Sequence, residues 1–170
     1  MMIKVGLGPI IDVSSRILIL GSLPGDISLS TQEYYANPRN HFWKILFCIY
    51  NQCIEKDYEL KRAFLQRHEI ALWDVLKSAE RKGSLDSNIR SPNVNNLEEL
   101  IQEYPKIRAV GLNGRKAWHI FNRHWGRHPL FNMNGIKIGY LPSSSPVPGK
   151  NVKSFDQKVK VWQNFLARST

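Results

Sequence analysis

Arg16-Ile-Leu-Ile-Leu-Gly21, running straight into Ser22-Leu-Pro-Gly25, decides the fold. An unbroken aliphatic run bounded by glycine reads as a strand buried on both faces, because a strand with one wet face alternates apolar and polar positions. Two later stretches repeat the pattern. Ile107-Arg-Ala-Val-Gly-Leu112 breaks at Asn113-Gly114, and Ile136-Lys-Ile-Gly-Tyr-Leu141 breaks at Pro142. Glu69 to Val75 is a shorter apolar segment, also suited to a strand. Between these lie segments with apolar residues at helical spacing. Asn40 to Tyr50 places Phe42, Ile45, Leu46, Ile49 and Tyr50 on one side. Asp57 to His68, Val94 to Tyr104, Arg115 to His124 and Ser154 to Ala167 read the same way, while Gly83 to Asn93 reads as a loop. Strands alternating with helices predict a three-layer α/β/α domain around a central, mostly parallel sheet of about four strands. In such folds the working loops gather at the carboxyl ends of the strands. That rule singles out two loops, Gly21 to Asn40 and Pro142 to Asn151.

The chain has 170 residues, which suits a single domain over 1–170 with a real core. Its net charge of +10 points to a polyanionic partner, because neutralising phosphates releases counterions; the bland alternative is solubility. Only two cysteines occur, Cys48 and Cys53, too few for a four-thiolate metal site. They are expected to be reduced and partly buried thiols in a cytoplasmic protein. No signal peptide is apparent, and no stretch approaches the ~20 apolar residues of a spanning helix. A monomer without cofactor is expected.

In the first loop, glycine and proline at a strand end permit a tight turn and close approach of backbone to ligand. Ser22, Leu23, Pro24 and Gly25 are therefore candidates to line a pocket. Tyr35 offers a flat ring, or is core. Asn40 offers a carboxamide for water or a base edge, or caps the helix that follows, which is the commoner use of Asn there. Asn113 ends another strand at the same side. In the second loop Ser143, Ser144 and Ser145, with Lys150 nearby, suit phosphate contact, as does Arg39 in the first; an ordinary Ser/Pro surface loop is the alternative. The five histidines are scattered with no His-Glu-x-x-His pair, so no metal site is expected. A serine-hydrolase elbow and a phosphate-cradling nucleotide loop are both missing.

Taken together, Gly21-Ser-Leu-Pro-Gly25, Tyr35-Ala-Asn-Pro-Arg-Asn-His-Phe-Trp-Lys44 and Leu141-Pro-Ser-Ser-Ser-Pro146 resemble the uracil-DNA glycosylase superfamily. The hypoxanthine-DNA (deoxyinosine) glycosylase branch is the nearest in pattern. Trp73-Asp-Val75, Gly83-Ser-Leu-Asp-Ser87 and Leu112-Asn-Gly114 also look like that branch, so the resemblance spans about residues 16 to 165. It implies a monofunctional DNA-repair enzyme that hydrolyses the N-glycosidic bond of a deaminated base, with DNA as partner. Asn40 would be catalytic. Ser22, Leu23, Pro24, Gly25, Tyr35 and Asn113 would surround the base. Ser143, Ser144, Ser145, Lys150 and Arg39 would hold DNA. Other branches carry Asp or Asn at the third position of the first motif, where it serves the attacking water. Leu23 cannot do so; another residue takes that part, or the rate is lower. A uracil or mismatch glycosylase, and a non-catalytic DNA-binding module on the same fold, are the alternatives.

Overall fold

The structure, a computed structural model, describes residues 2–133, 135–149 and 151–169. In chain order it contains β1 (Ile3–Val5), β2 (Ile17–Gly21), α1 (Asp26–Thr31), α2 (Phe42–Ile49), α3 (Tyr58–Arg67), β3 (Ile70–Asp74) and β4 (Leu76–Glu80). A 3₁₀ turn over Asp86–Asn88 leads into β5 (Arg90–Val94), α4 (Leu97–Glu103), β6 (Ala109–Asn113), α5 (Arg115–Trp125), α6 (Pro129–Met133), β7 (Lys137–Leu141) and α7 (Phe155–Ala167). β3, β2, β6 and β7 pair in that order, all parallel.

The aliphatic run explains why β2 sits inside. Leu18 and Leu20 pack on one face with α4 and α5, and Ile17 and Ile19 on the other with α2, α3 and α7. Both faces are dry, so all four side chains are fully buried. Phe165 of α7 comes so close to the sheet that a Cβ on Gly139 would lie 2.5 Å from its ring, and glycine is what the packing there admits.

Chain order fixes where the site lies. From β2 the chain crosses to β3 on one side and then returns to β6 on the other. Such a reversal opens a crevice at the carboxyl ends of the strands concerned, here beyond Gly21 and Asn113.

Several expectations need correction. Gly83 to Asn93 is not all loop: β5 begins within it, and β1, β4 and β5 form a second, antiparallel sheet. Its strands have exposed, polar faces that give no apolar run to read. The Gly21–Asn40 segment contains α1. Cys48 and Cys53 are free but exposed rather than partly buried. No helix among the described residues is long and apolar enough to cross a membrane.

Candidate active site

The second loop leaves β7 and is pinned from behind through its carbonyls. Trp162 Nε1 donates to Pro142 O at 3.0 Å, the His41 amide to Ser144 O at 2.9 Å, and Lys158 Nζ to Ser145 O at 3.3 Å. Lys158 is buried, which lowers its pKa. It helps to lower that of His41 too, although burial is the larger cause there. Asn113 completes the anchorage. Its Nδ2 donates to Ser144 Oγ at 2.9 Å and to the Tyr35 hydroxyl at 3.1 Å, while its Oδ1 accepts from the Ser144 amide at 2.9 Å. One carboxamide thus ties β6, the first loop and the second loop together.

The first loop is held by the segment that follows β4. Arg81, fully buried, donates through Nη1 to Leu23 O at 3.1 Å and through Nη2 to Pro24 O. Ser22 Oγ donates to Asp86 Oδ1 at 2.6 Å, and the Asp26 amide to Ser84 Oγ at 2.9 Å. Asp74, at the end of β3, stands opposite Gly21 in the β2 register. A Cβ on Gly21 would lie 2.5 Å from Asp74 Oδ1 and 3.1 Å from the Tyr35 hydroxyl, so only glycine lets these groups meet. Burial, and then the neighbouring Asp86, push the Asp74 carboxyl up to about 8 against the pull of Arg81. Asp86 is exposed as a residue, but the protein crowded around its carboxyl raises it too, opposed by the Ser22 hydroxyl, Arg81 and Lys116.

Asn40 and Tyr35 lie between the loops. Asn40 Oδ1 accepts from the Phe42 amide at 2.9 Å, which satisfies one of the free N–H groups at the start of α2. The N-cap of α2 is His41, not Asn40 as the sequence suggested; Asn40 supports the helix start from one residue earlier, and its Nδ2 amine is left uncommitted. Tyr35 is stacked on Phe42, with ring centroids 3.8 Å apart and planes 10° from parallel, on a backbone with φ of 55°. One face is thus spent on the core, and burial raises its hydroxyl pKa.

The structure therefore sorts the candidates named from the sequence. Ser22, Tyr35 and Asn113 converge on the crevice. The Leu23 side chain belongs to the hydrophobic core, and the Leu23 and Pro24 carbonyls are taken by Arg81. Gly25 stands at the start of α1. Ser143 is exposed and Ser145 half-buried, but Ser144 is buried and engaged with Asn113. Arg39 is exposed, and Lys150 lies outside the described residues. Asp74, Arg81 and Asp86 were missed as site residues, because charged residues between strands normally read as solvated surface. Asp74 and Asp86 had one signal, their place within segments quoted for the family pattern, and Arg81 had none. Among the described residues no group of three or more His, Cys, Asp or Glu is placed to hold a metal ion.

Comparison with known proteins agrees with this geometry. The family model for the uracil DNA glycosylase superfamily matches residues 9–166. A hypoxanthine DNA glycosylase from Methanosarcina acetivorans is 37% identical over 163 residues, covering 95% of this chain and 97% of the relative. One from Methanosarcina barkeri is 33% identical, covering 97% and 99%. The solution NMR structure of a candidate uracil DNA glycosylase from Methanosarcina acetivorans superimposes with a TM-score of 0.81 at 35% identity, covering 98% of each chain.

Proposed function

The chain belongs to the uracil DNA glycosylase superfamily, and on that premise we propose that it excises hypoxanthine from DNA by hydrolysing the N-glycosidic bond. One observation carries the reading. The three segments that match the family pattern are distant in sequence, yet they meet at one end of the sheet: the Asn113 carboxamide joins Tyr35 to Ser144, and Gly21 packs against the same Tyr35 hydroxyl. The relatives named as hypoxanthine glycosylases match along nearly the whole chain, so the lesion they name is the one proposed here.

The target base is out of reach inside a duplex and must be flipped out, at a cost of a few kcal/mol that a poorly pairing deaminated base reduces. Tyr35 receives the base on the face that Phe42 leaves free, and such stacking contributes ~1–3 kcal/mol. Ser22 lines the pocket. Asn40 holds the attacking water through its uncommitted Nδ2, doing what Leu23 cannot. Ser143, Ser145, Arg39 and Lys150 hold the flanking phosphates, helped by the net charge of +10. The acting unit is proposed to be a monomer, working in the cytoplasm. Among the described residues no lysine of the motif loops stands out as a Schiff-base nucleophile, and the product is read as an intact abasic site.

The test is a base-release panel on defined duplexes carrying hypoxanthine, uracil, xanthine or ethenoadenine. Free hypoxanthine in excess over the other bases is the expected result. Uracil release above hypoxanthine would move the protein to a different branch of the family. Tight duplex binding with no free base would make it a non-catalytic module.

A further inference from the structure

Asp74 has no part in the scheme above, yet it is a buried acid with an unpartnered oxygen. It is 4% exposed, and its Oδ2 meets no donor. The adjacent cation does not pair with it, because Arg81 turns both terminal nitrogens to the Leu23 and Pro24 carbonyls. Asp86, across Gly21 and Ser22, adds a second carboxyl instead of a counter-charge. An unpaired carboxylate is strongly disfavoured in such a place, and the group takes a proton instead. The protonated form still carries one O–H donor on an atom that the fold leaves without a partner.

Resting on the hypoxanthine reading, we infer that Asp74 is a further catalytic residue, a neutral carboxylic acid that donates a hydrogen bond from Oδ2 to the carbonyl oxygen of the departing base. When the C1′–N9 bond breaks, its electron pair passes to the purine and spreads onto that oxygen. A donor aimed there is worth more in the transition state than in the ground state. Water forms the new C1′–O bond and releases one proton to solvent. The purine anion takes one proton from solvent, and Asp74 keeps its own. An ionised Asp74 would repel the same oxygen. Oδ2 is closed to solvent in this structure, so the crevice must open beside Gly21 when the base enters. A kept-neutral carboxyl in an apolar site is a known way to donate a hydrogen bond at neutral pH.

Two substitutions test this without creating a hole. Asp74→Asn supplies an amide that donates at every pH, and Asp86→Asn removes the neighbouring charge. Single-turnover hypoxanthine release is followed against pH, with melting curves to confirm folding. In the wild type the rate should fall about tenfold per pH unit above about 8. In Asp74→Asn that alkaline fall should vanish, with the neutral-pH rate kept within about tenfold. In Asp86→Asn the fall should begin at lower pH. A wild-type fall that persists unchanged in Asp74→Asn belongs to the N–H of the base itself and overturns the assignment. A carboxyl-carbon NMR titration of the free protein reads Asp74 without any activity, and a midpoint in the ordinary carboxylate range also overturns it. If the wild type releases no hypoxanthine, the functional reading falls first; a titration midpoint near 8 would then still place the neutral acid in the crevice.

Discussion

The Pro142–Pro146 loop and the Gly21–Gly25 loop leave the same edge of the sheet, but they spend their polar groups differently. In the second loop three successive anchors take up carbonyls, and Ser144 exchanges hydrogen bonds with Asn113 in both directions. Around the first loop Arg81 is committed to two carbonyls while its Nε, and Asp74 Oδ2 beside it, have no partner. Buried polar groups are normally satisfied, and each exception calls for a reason. The saturated loop acts as scaffold, holding exposed Ser143 in a fixed place. The unsaturated side is where a ligand has something to complete.

Asn40→Ala should break this picture most visibly. If Asn40 only supports the start of α2, the loss is ~0.5–2 kcal/mol of stability, and the folded enzyme keeps its rate. If its free Nδ2 holds the water, the single-turnover rate falls on the order of 10²-fold or more, since such an interaction matters most in the transition state. Rates measured well below the melting temperature separate the two, and we expect the second outcome. A folded variant at the wild-type rate would show that Asn40 supports the helix start and does nothing more.

Asn113→Ala attacks the saturated side. It strands the Ser144 amide and hydroxyl and the Tyr35 hydroxyl, so chemical denaturation should show a loss of about 2–4 kcal/mol. The activity that remains should resemble that of a loosened site. A loss under 1 kcal/mol would mean that solvent replaces all three bonds and that the loop is not held as described.

The unsaturated side should show itself in the pH dependence of stability. Burial holds the Asp74 carboxyl up to about 8 in the folded protein against 3.8 for the free side chain, so the folded state binds the extra proton between those values. Stability from this group is therefore full below about pH 4, declines as pH rises, and levels off above about 8. The decline is at most about 1.4 kcal/mol per pH unit. Asp86, raised in the same direction, adds to it. Denaturation at pH 5 and pH 8 should give a smaller difference for Asp74→Asn than for the wild type, and parallel behaviour would refute the buried neutral acid.

Arg39→Ala should have the smallest effect. If the exposed Arg39 meets one phosphate, duplex affinity falls modestly, and the slope of log affinity against log salt drops by about 1. An unchanged slope would leave Arg39 as a solubility charge.

What could be read from the sequence follows from short-range physics. Ile17 to Leu20 had to be a buried strand, because four aliphatic side chains in a row need two dry faces. The helices over 42–49, 58–67, 115–125 and 155–167 declare themselves by spacing, since one turn determines which side chains share a face. The motif loops could be placed at strand ends for the same reason. The second sheet could not: β4 buries only Leu76 and Ala79 among polar residues, β5 is polar and mostly exposed, and their pairing is settled between segments rather than within one. Nor could the sequence say whether Asn40 caps or catalyses. Its oxygen takes the Phe42 amide from one residue before the N-cap, His41, and only the folded chain shows that its amine is left over. Arg81, Asp74 and Asp86 look like solvated charges one by one. They become a cluster, with Asp74 and Arg81 buried and Asp86 at its rim, because β3 ends beside Gly21 and the segment after β4 folds back over Ser22. Burial and the absence of a counter-charge arise from groups far apart along the chain, so only the tertiary structure decides which carboxyl holds its proton.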